Sequence, residues 1–262
     1  MLSNSDEIIS KLKSASNVGS EIIMYNFLNK NISVTSKSKN NFVTNVDVEV
    51  EKAIIDSIKK DFPDSNFIGE ELGKNENSNS QLTWIIDPID GTNNFISGYP
   101  HFSISIAVVF KNEILFGSIF NPNNNEFFHS VKGEGSFLNG MKIHVSKTKF
   151  LKDSILGTGF VMSKNSSITE NLKNLNNFIK KIRSFRRSGS AALDLAYVAC
   201  GRLDGFWHID LKPWDIAAGV LLIEEANGAV TDFKGEKFDI NSKYLLSSNS
   251  LIHDQMIEEI SQ

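Results

Sequence analysis

Residues 84–92 read Trp84-Ile85-Ile86-Asp87-Pro88-Ile89-Asp90-Gly91-Thr92, an apolar run that passes directly into two carboxylates, a proline, a glycine and a hydroxyl. Pro88 restricts the backbone and Gly91 permits a sharp bend, so the carboxylates of Asp87 and Asp90 and the carbonyl of Ile89 can converge on one point. Convergent oxygens without sulfur or imidazole suit a hard cation, and magnesium above all, which keeps several waters and accepts a few carboxylates plus a substrate phosphate. Carboxylates crowded together repel one another until a cation is bound. Two such ions about 3.5–4 Å apart can serve the attacking and leaving oxygens of an in-line phosphoryl displacement. Glu70 and Asp215 supply further acids elsewhere in the chain. Each feature also has a plain structural reading: Asp-Pro and Asp-Gly form turns, and Asp47 and Asp215 stand where helix N-caps are expected.

The elements that must position these groups are readable in outline. Ile8, Ile9, Leu12, Ala15, Ile22, Ile23 and Phe27 recur at helical spacing over residues 6–28, with Ser3 and Asp6 as a capping box. Val50, Ala53, Ile54 and Ile58 predict a second helix that starts at Asp47 and stops at Phe62-Pro63. Asn66-Phe67-Ile68 and Leu82–Ile86 are short strands that end in acids, and the polar stretch between them reads as an exposed loop. Residues 103–110, 114–120 and 126–131 predict consecutive antiparallel hairpins. Helices are predicted over 190–200 and 215–226, and strands over 205–209 and 229–233. Asp90-Gly91-Thr92 is placed to open a helix whose free N–H groups would favour an anion.

Composition narrows the classes. The chain has 262 residues, 40% of them hydrophobic, and a net charge of −4, which gives no general drive toward nucleic acid or anionic membrane. The single cysteine, Cys200, forms no internal disulfide, and residues 1–13 lack a signal-peptide pattern, so a soluble cytoplasmic protein is expected. No linker divides the chain, so residues 1–262 read as one functional unit, with any packed subdomains at about 1–147 and 148–262. His101, His129, His144 and His253 lack metal-ligand spacing, and the serines lack a nucleophile-elbow context, which favours attack by water.

Gly69-Glu70-Glu71, Asp87–Thr92 and Trp214-Asp215-Ile216-Ala217-Ala218-Gly219 resemble, in order and separation, the three signature segments of the inositol monophosphatase family, of bacterial type. Residues 41–47 and 186–196 extend the resemblance over nearly the whole chain. It implies an α+β fold, a layered αβαβα sandwich shared with fructose-1,6-bisphosphatase, usually a homodimer, with two to three Mg2+ ions and lithium sensitivity. It further implies that Glu70, Asp87 and the Ile89 carbonyl hold one ion and Asp87, Asp90 and Asp215 a second. Thr92 and Asp47, with Glu70, would polarise the attacking water. Gly91 and Thr92 would bind phosphate through their amides, with Asp90, Gly189, Ser190, His208 and Asp215 around the substrate. Lys37 resembles a family lysine near the metals, with Lys39 as the alternative.

Two positions depart from the pattern. Asn41 stands where many bacterial relatives carry an acid, and His208 stands where inositol-hydrolysing members place a glutamate that bonds sugar hydroxyls. The implied activity is magnesium-dependent hydrolysis of a small phosphate monoester, inositol 1-phosphate first, with histidinol phosphate or another sugar or nucleotide phosphate as the alternative. A separate expectation attaches to Lys180, Lys181, Arg183, Arg186 and Arg187, a basic patch for protein or RNA docking, transcription machinery included, or simply a solvated face.

Overall fold

The computed structural model describes residues 5–30, 32–38, 41–75, 77, 80–162 and 165–260, with backbone alone for Lys37, Ser38, Asn41 and Asn165. Ser3 and Lys39, and the side chain of Lys37, therefore lie outside the described part. The first half of the chain runs α1 (Ser5–Asn29), β1 (Val34–Ser38), β2 (Asn41–Thr44), α2 (Asn45–Lys59), β3 (Asn66–Gly69), β4 (Gly73–Asn75), β5 (Leu82–Asp90), α3 (Thr92–Ser97), β6 (Ser103–Phe110), β7 (Glu113–Asn121), β8 (Glu126–Val131), β9 (Gly135–Leu138) and β10 (Met141–Ile143). The second half runs β11 (Ile155–Thr158), α4 (Asn165–Ile179), β12 (Ser184–Arg186), α5 (Ala191–Ala199), β13 (Gly205–Ile209), α6 (Pro213–Glu225), β14 (Ala229–Thr231), β15 (Tyr244–Ser248) and α7 (His253–Ile260).

The two larger sheets and three helix pairs stack as αβαβα, and β1 and β2 form a separate two-stranded ladder. The large sheet has the order β10-β9-β8-β7-β6-β5-β3-β4 and is antiparallel except where β3 runs beside β5; the small one has the order β12-β11-β13-β15-β14. Alternation along β5 divides its side chains. Trp84 and Ile86 join Ile8, Leu12, Val50 and Ile54 of α1 and α2 on the outer face, while Ile85 turns to the inner face. There α5 and α6 fill the space between the sheets, Leu193, Ala196, Ile216 and Leu222 meeting Ala107 and Phe128 on one side and Phe206 and Leu245 on the other. The far face of the small sheet buries Trp207 and Leu246 against Phe178 of α4 and Met256 of α7. The expected α+β sandwich is therefore the observed one, and no helix among the described residues is long and apolar enough to cross a membrane.

Several local expectations change. Strand β5 does not stop at Ile86 but continues through Pro88 to Asp90, and the ladder with β6 shifts register between Asp87 and Asp90. That irregularity lets a proline occupy a central strand, because no ladder bond is required of it there. Asp47 and Asp215 are not N-caps but third residues of their helices. The side chain of Thr44 caps α2 and accepts from the amides of Val46 and Asp47. The polar stretch after Glu70 begins with the short strand β4, paired to β3.

Candidate metal and phosphate site

The acids meet where α2, α5 and α6 begin. Asp87, Asp90 and Asp215 each offer a carboxylate oxygen, and these oxygens lie within 4.8 Å of one another. Asp87 is held by its own loop: its Oδ1 accepts the Ile89 amide at 3.1 Å across Pro88, an Asx-type turn. Asp90 sits on the N-terminus of α5, where its Oδ2 accepts the Ser190 hydroxyl and, at 2.8 Å, the Ala192 amide. Ser190 is at once the cap of α5, accepting from Leu193, and a donor to Asp90. Its hydroxyl is thus bonded to a carboxylate, and Ser190 also lines the recess beside the trio. Asp215, in the first turn of α6, accepts the Lys212 amide at 2.7 Å.

Burial and mutual repulsion set the electrostatics. Burial pushes Asp90 up to about 6 against the lowering effect of Ser190 and the α5 amides, and pushes Asp215 up to about 7, with the charge of Asp90 adding to it. Asp87 lies well above the ordinary carboxylate range through burial and then the charges of Glu70, Asp90, Asp215 and Asp47. Glu70, half-buried at the turn after β3, therefore faces Asp87 from outside the trio. Two buried acids and a half-buried one sharing so small a volume fit a divalent cation, and the donor set, oxygen throughout, fits a hard one.

Asp47 and Thr92 are also brought together. The Thr92 hydroxyl lies 3.1 Å from Asp47 Oδ1 and 3.0 Å from the Ile89 carbonyl, two acceptors for one proton. Asp47 Oδ2 accepts the Thr44 amide at 2.8 Å, and burial raises this carboxyl despite the Thr44 bonds. Gly91, the cap of α3, adopts φ 100°, and a Cβ there would approach the carbonyls of His101 and Gly189 at 3.1 and 3.2 Å. Asn94 Nδ2 ties those two segments together, donating to His101 O at 2.7 Å and Ser188 O at 2.9 Å.

Beside the trio a recess of about 180 Å³ is lined by Arg187, Gly189, Asp194 and His208 among others. His208 is 5% exposed. Burial lowers it to about 4, which leaves the ring neutral, with Nδ1 donating to Ile209 O at 2.9 Å. Burial raises Asp194 to about 8, opposed by the Ser188 hydroxyl that donates to it. Sequence reasoning missed Thr44, Asn94, Asp194 and the buried Glu51 of α2. For Glu51 a signal existed, since it follows Asp47 by four residues and so shares its helix face.

A sequence model of the inositol monophosphatase family matches residues 4–262. "Nus factor SuhB" of Pasteurella multocida is 42% identical over 229 residues, covering 87% of this chain and 86% of that protein. The extragenic suppressor protein suhB of Bartonella henselae superposes with a TM-score of 0.94 at 33% identity, covering 98% and 99% of the two chains. An IMPase of Thermotoga maritima does so with 0.89 at 38% identity, covering 98% and 97%. The match over almost the full length, with the acids of all three signature segments gathered at one site, makes this chain a member of the inositol monophosphatase family.

Proposed function

We propose that the chain hydrolyses a small phosphate monoester with magnesium, inositol 1-phosphate first among substrates. The observation that carries this reading is the trio Asp87, Asp90 and Asp215 set against the N-termini of α5 and α6. Carboxylates alone would repel a phosphate, and helix N-termini alone would not select a metal; together they suit a cation that brings an anion with it. Asp87, Asp90 and Asp215 would hold one cation, and Glu70, Asp87 and the Ile89 carbonyl a second. Such cations, when bound, supply Lewis acidity toward a phosphoryl oxygen and lower the pKa of water. Asp47, fixed by Thr44, orients the Thr92 hydroxyl, and Thr92 would take part in removing the proton of the attacking water. The alcohol part of the substrate would lie in the recess, where the neutral His208, Asp194 and Arg187 offer hydrogen bonds and one positive charge. A homodimer in the cytoplasm, sensitive to lithium, belongs to the same reading.

Phosphate release across a panel of inositol 1-phosphate, histidinol phosphate, fructose 1,6-bisphosphate and 3′-phosphoadenosine 5′-phosphate tests it. Activity with magnesium, none in excess EDTA and a fall of more than about 10²-fold for Asp90→Asn are expected. Full activity in EDTA would refute the metal role; preference for histidinol phosphate would replace the substrate alone.

A second reading follows from the relatives named as Nus factors: docking to transcription machinery through the patch from Lys180 to Arg187. Arg186 lies exposed on β12, an edge strand, whereas Lys181 is engaged with Glu259 at 2.6 Å. An Arg183→Ala, Arg186→Ala chain that keeps its hydrolytic rate but no longer retains RNA polymerase would support it; retention equal to the unmodified chain would remove it.

A further inference from the structure

Strand β4 is one of the two terminal strands of the large sheet, and its three residues, Gly73, Lys74 and Asn75, are exposed. The turn that leads into it, Glu70-Glu71-Leu72, carries one of the acids of the proposed site, yet Leu72 is itself 50% exposed and contributes little packing. Something other than apolar burial must hold this turn still. Beneath it lies Glu51, a carboxylate of α2 with no exposure to solvent. Its Oε2 accepts the Glu71 amide at 2.8 Å and its Oε1 the Leu72 amide at 2.9 Å. Two successive amides converging on one anion form a small nest, here filled by a side chain of the same protein. Gly69 completes the fit: a Cβ at that position would fall 1.9 Å from Glu51 Oε1, so the room occupied by the carboxylate is the room a side chain would need. The Glu70 amide is meanwhile bonded to Ile86 O at 3.3 Å, one residue before Asp87.

We propose that Glu51 is a positioning residue: by gripping the Glu71 and Leu72 amides it fixes Glu70 opposite Asp87 and so sets the affinity of the cation those two acids share. The inference rests on the metal-dependent reading above and deepens it. Helix α2 then acts as a strut with two ends. Asp47 reaches the loop after β5 through Thr92, and Glu51, one turn on, reaches the loop after β3. A carboxylate is required rather than an amide, because each oxygen meets its own N–H. A glutamine would satisfy one donor and set its NH2 against the other.

The test uses the full chain, with Mn2+ as the probe metal followed by calorimetry and with amide exchange read in its absence. Glu51→Gln should speed exchange at Glu71 and Leu72 by about tenfold or more and weaken Mn2+ binding by about tenfold, the usual scale for the support of a metal ligand. Glu70→Gln should weaken binding at least as much, and the double variant should lose no more than Glu70→Gln alone, since both act on one ligand. Glu51→Asp keeps the charge but draws it back by one methylene, and should show the same changes, smaller, if Glu51→Gln does not fold. Unchanged exchange at the two amides overturns the proposal, and so does unchanged Mn2+ affinity or an additive loss in the double variant. A parent chain that binds no divalent cation overturns the proposed function instead, and amide exchange, read without metal, tells the two failures apart.

Discussion

Protons and metal should compete for the acid trio, and the competition has a calculable size. With Asp215 raised to about 7 and Asp90 to about 6, a cation arriving at pH 6 must displace a proton from most copies of the first and from half the second. Simple competition weakens apparent affinity by about 11-fold through Asp215 and about 2-fold through Asp90, so by about 20-fold together, against almost nothing at pH 8. Asp87, raised further by burial and by Glu70, adds to the effect in the same direction. Magnesium half-saturation should therefore rise by about 20-fold or more between pH 8 and pH 6. Calorimetry in two buffers of different ionisation heat should also record proton release at pH 6.5. Stability should follow the same linkage. The folded-state values lie above the ordinary 3.8, so the metal-free fold retains protons that the unfolded chain has already lost. Its stability contribution from these groups is present at low pH and declines as pH rises through about 6 to 7, and metal restores it. The melting difference between magnesium and EDTA should widen from pH 5.5 to pH 8. An affinity that stays constant between pH 6 and pH 8, with no proton release, would refute the assignment of the cation to this trio.

Three substitutions probe the supports. Thr92→Val removes the hydroxyl shared between Asp47 and the Ile89 carbonyl, and should lower kcat by about 10²–10³-fold while magnesium affinity measured by calorimetry stays near that of the parent. Ser190→Ala removes both the α5 cap and a donor to Asp90; a melting temperature lower by about 2–4 °C and metal affinity weaker by about tenfold are expected. Gly159→Ala would place a Cβ 2.6 Å from His208 Nε2 and displace the ring within the recess that both residues line, so KM for inositol 1-phosphate should rise several-fold with magnesium affinity intact. An unchanged KM would remove His208 from substrate recognition.

Legibility in the sequence followed the range of the interaction. The convergence of Asp87 and Asp90 was readable because the two lie in one short loop, where Pro88 and Gly91 restrict and bend the backbone, although the loop alone also reads as a turn. The hairpins of β6, β7 and β8 were readable because their turns carry Asn, Pro and Lys between apolar runs. Helix α4 was not: residues 165–179 are rich in asparagine and serine, and its inward side mixes Leu175 and Phe178 with the buried Asn171 and Asn174. Strands β11, β12 and β15 have three to five residues each and take their form from sheet neighbours distant in sequence. Glu51 was legible only in part: its spacing from Asp47 puts both on one face of α2, but the turn that it holds lies 20 residues further on and is formed only when the chain folds.

The supports explain why the acids can remain gathered at all. Asp87 is bonded to its own loop, Asp90 to the start of α5, Asp215 to the start of α6 and Asp47 to the cap of α2, so each oxygen that faces the centre belongs to a carboxylate whose other bonds are already made. Repulsion among them cannot be relieved by a side chain swinging away without breaking one of those bonds, and the remaining outlets are a proton or a cation. At low pH the trio takes protons; near neutrality protonation is incomplete, and a divalent cation becomes the better partner. The proposed metal preference would therefore be a property of the rigid frame of helix starts as much as of the acids, and it should weaken if the frame were loosened at Ser190 or Glu51 with every acid still in place.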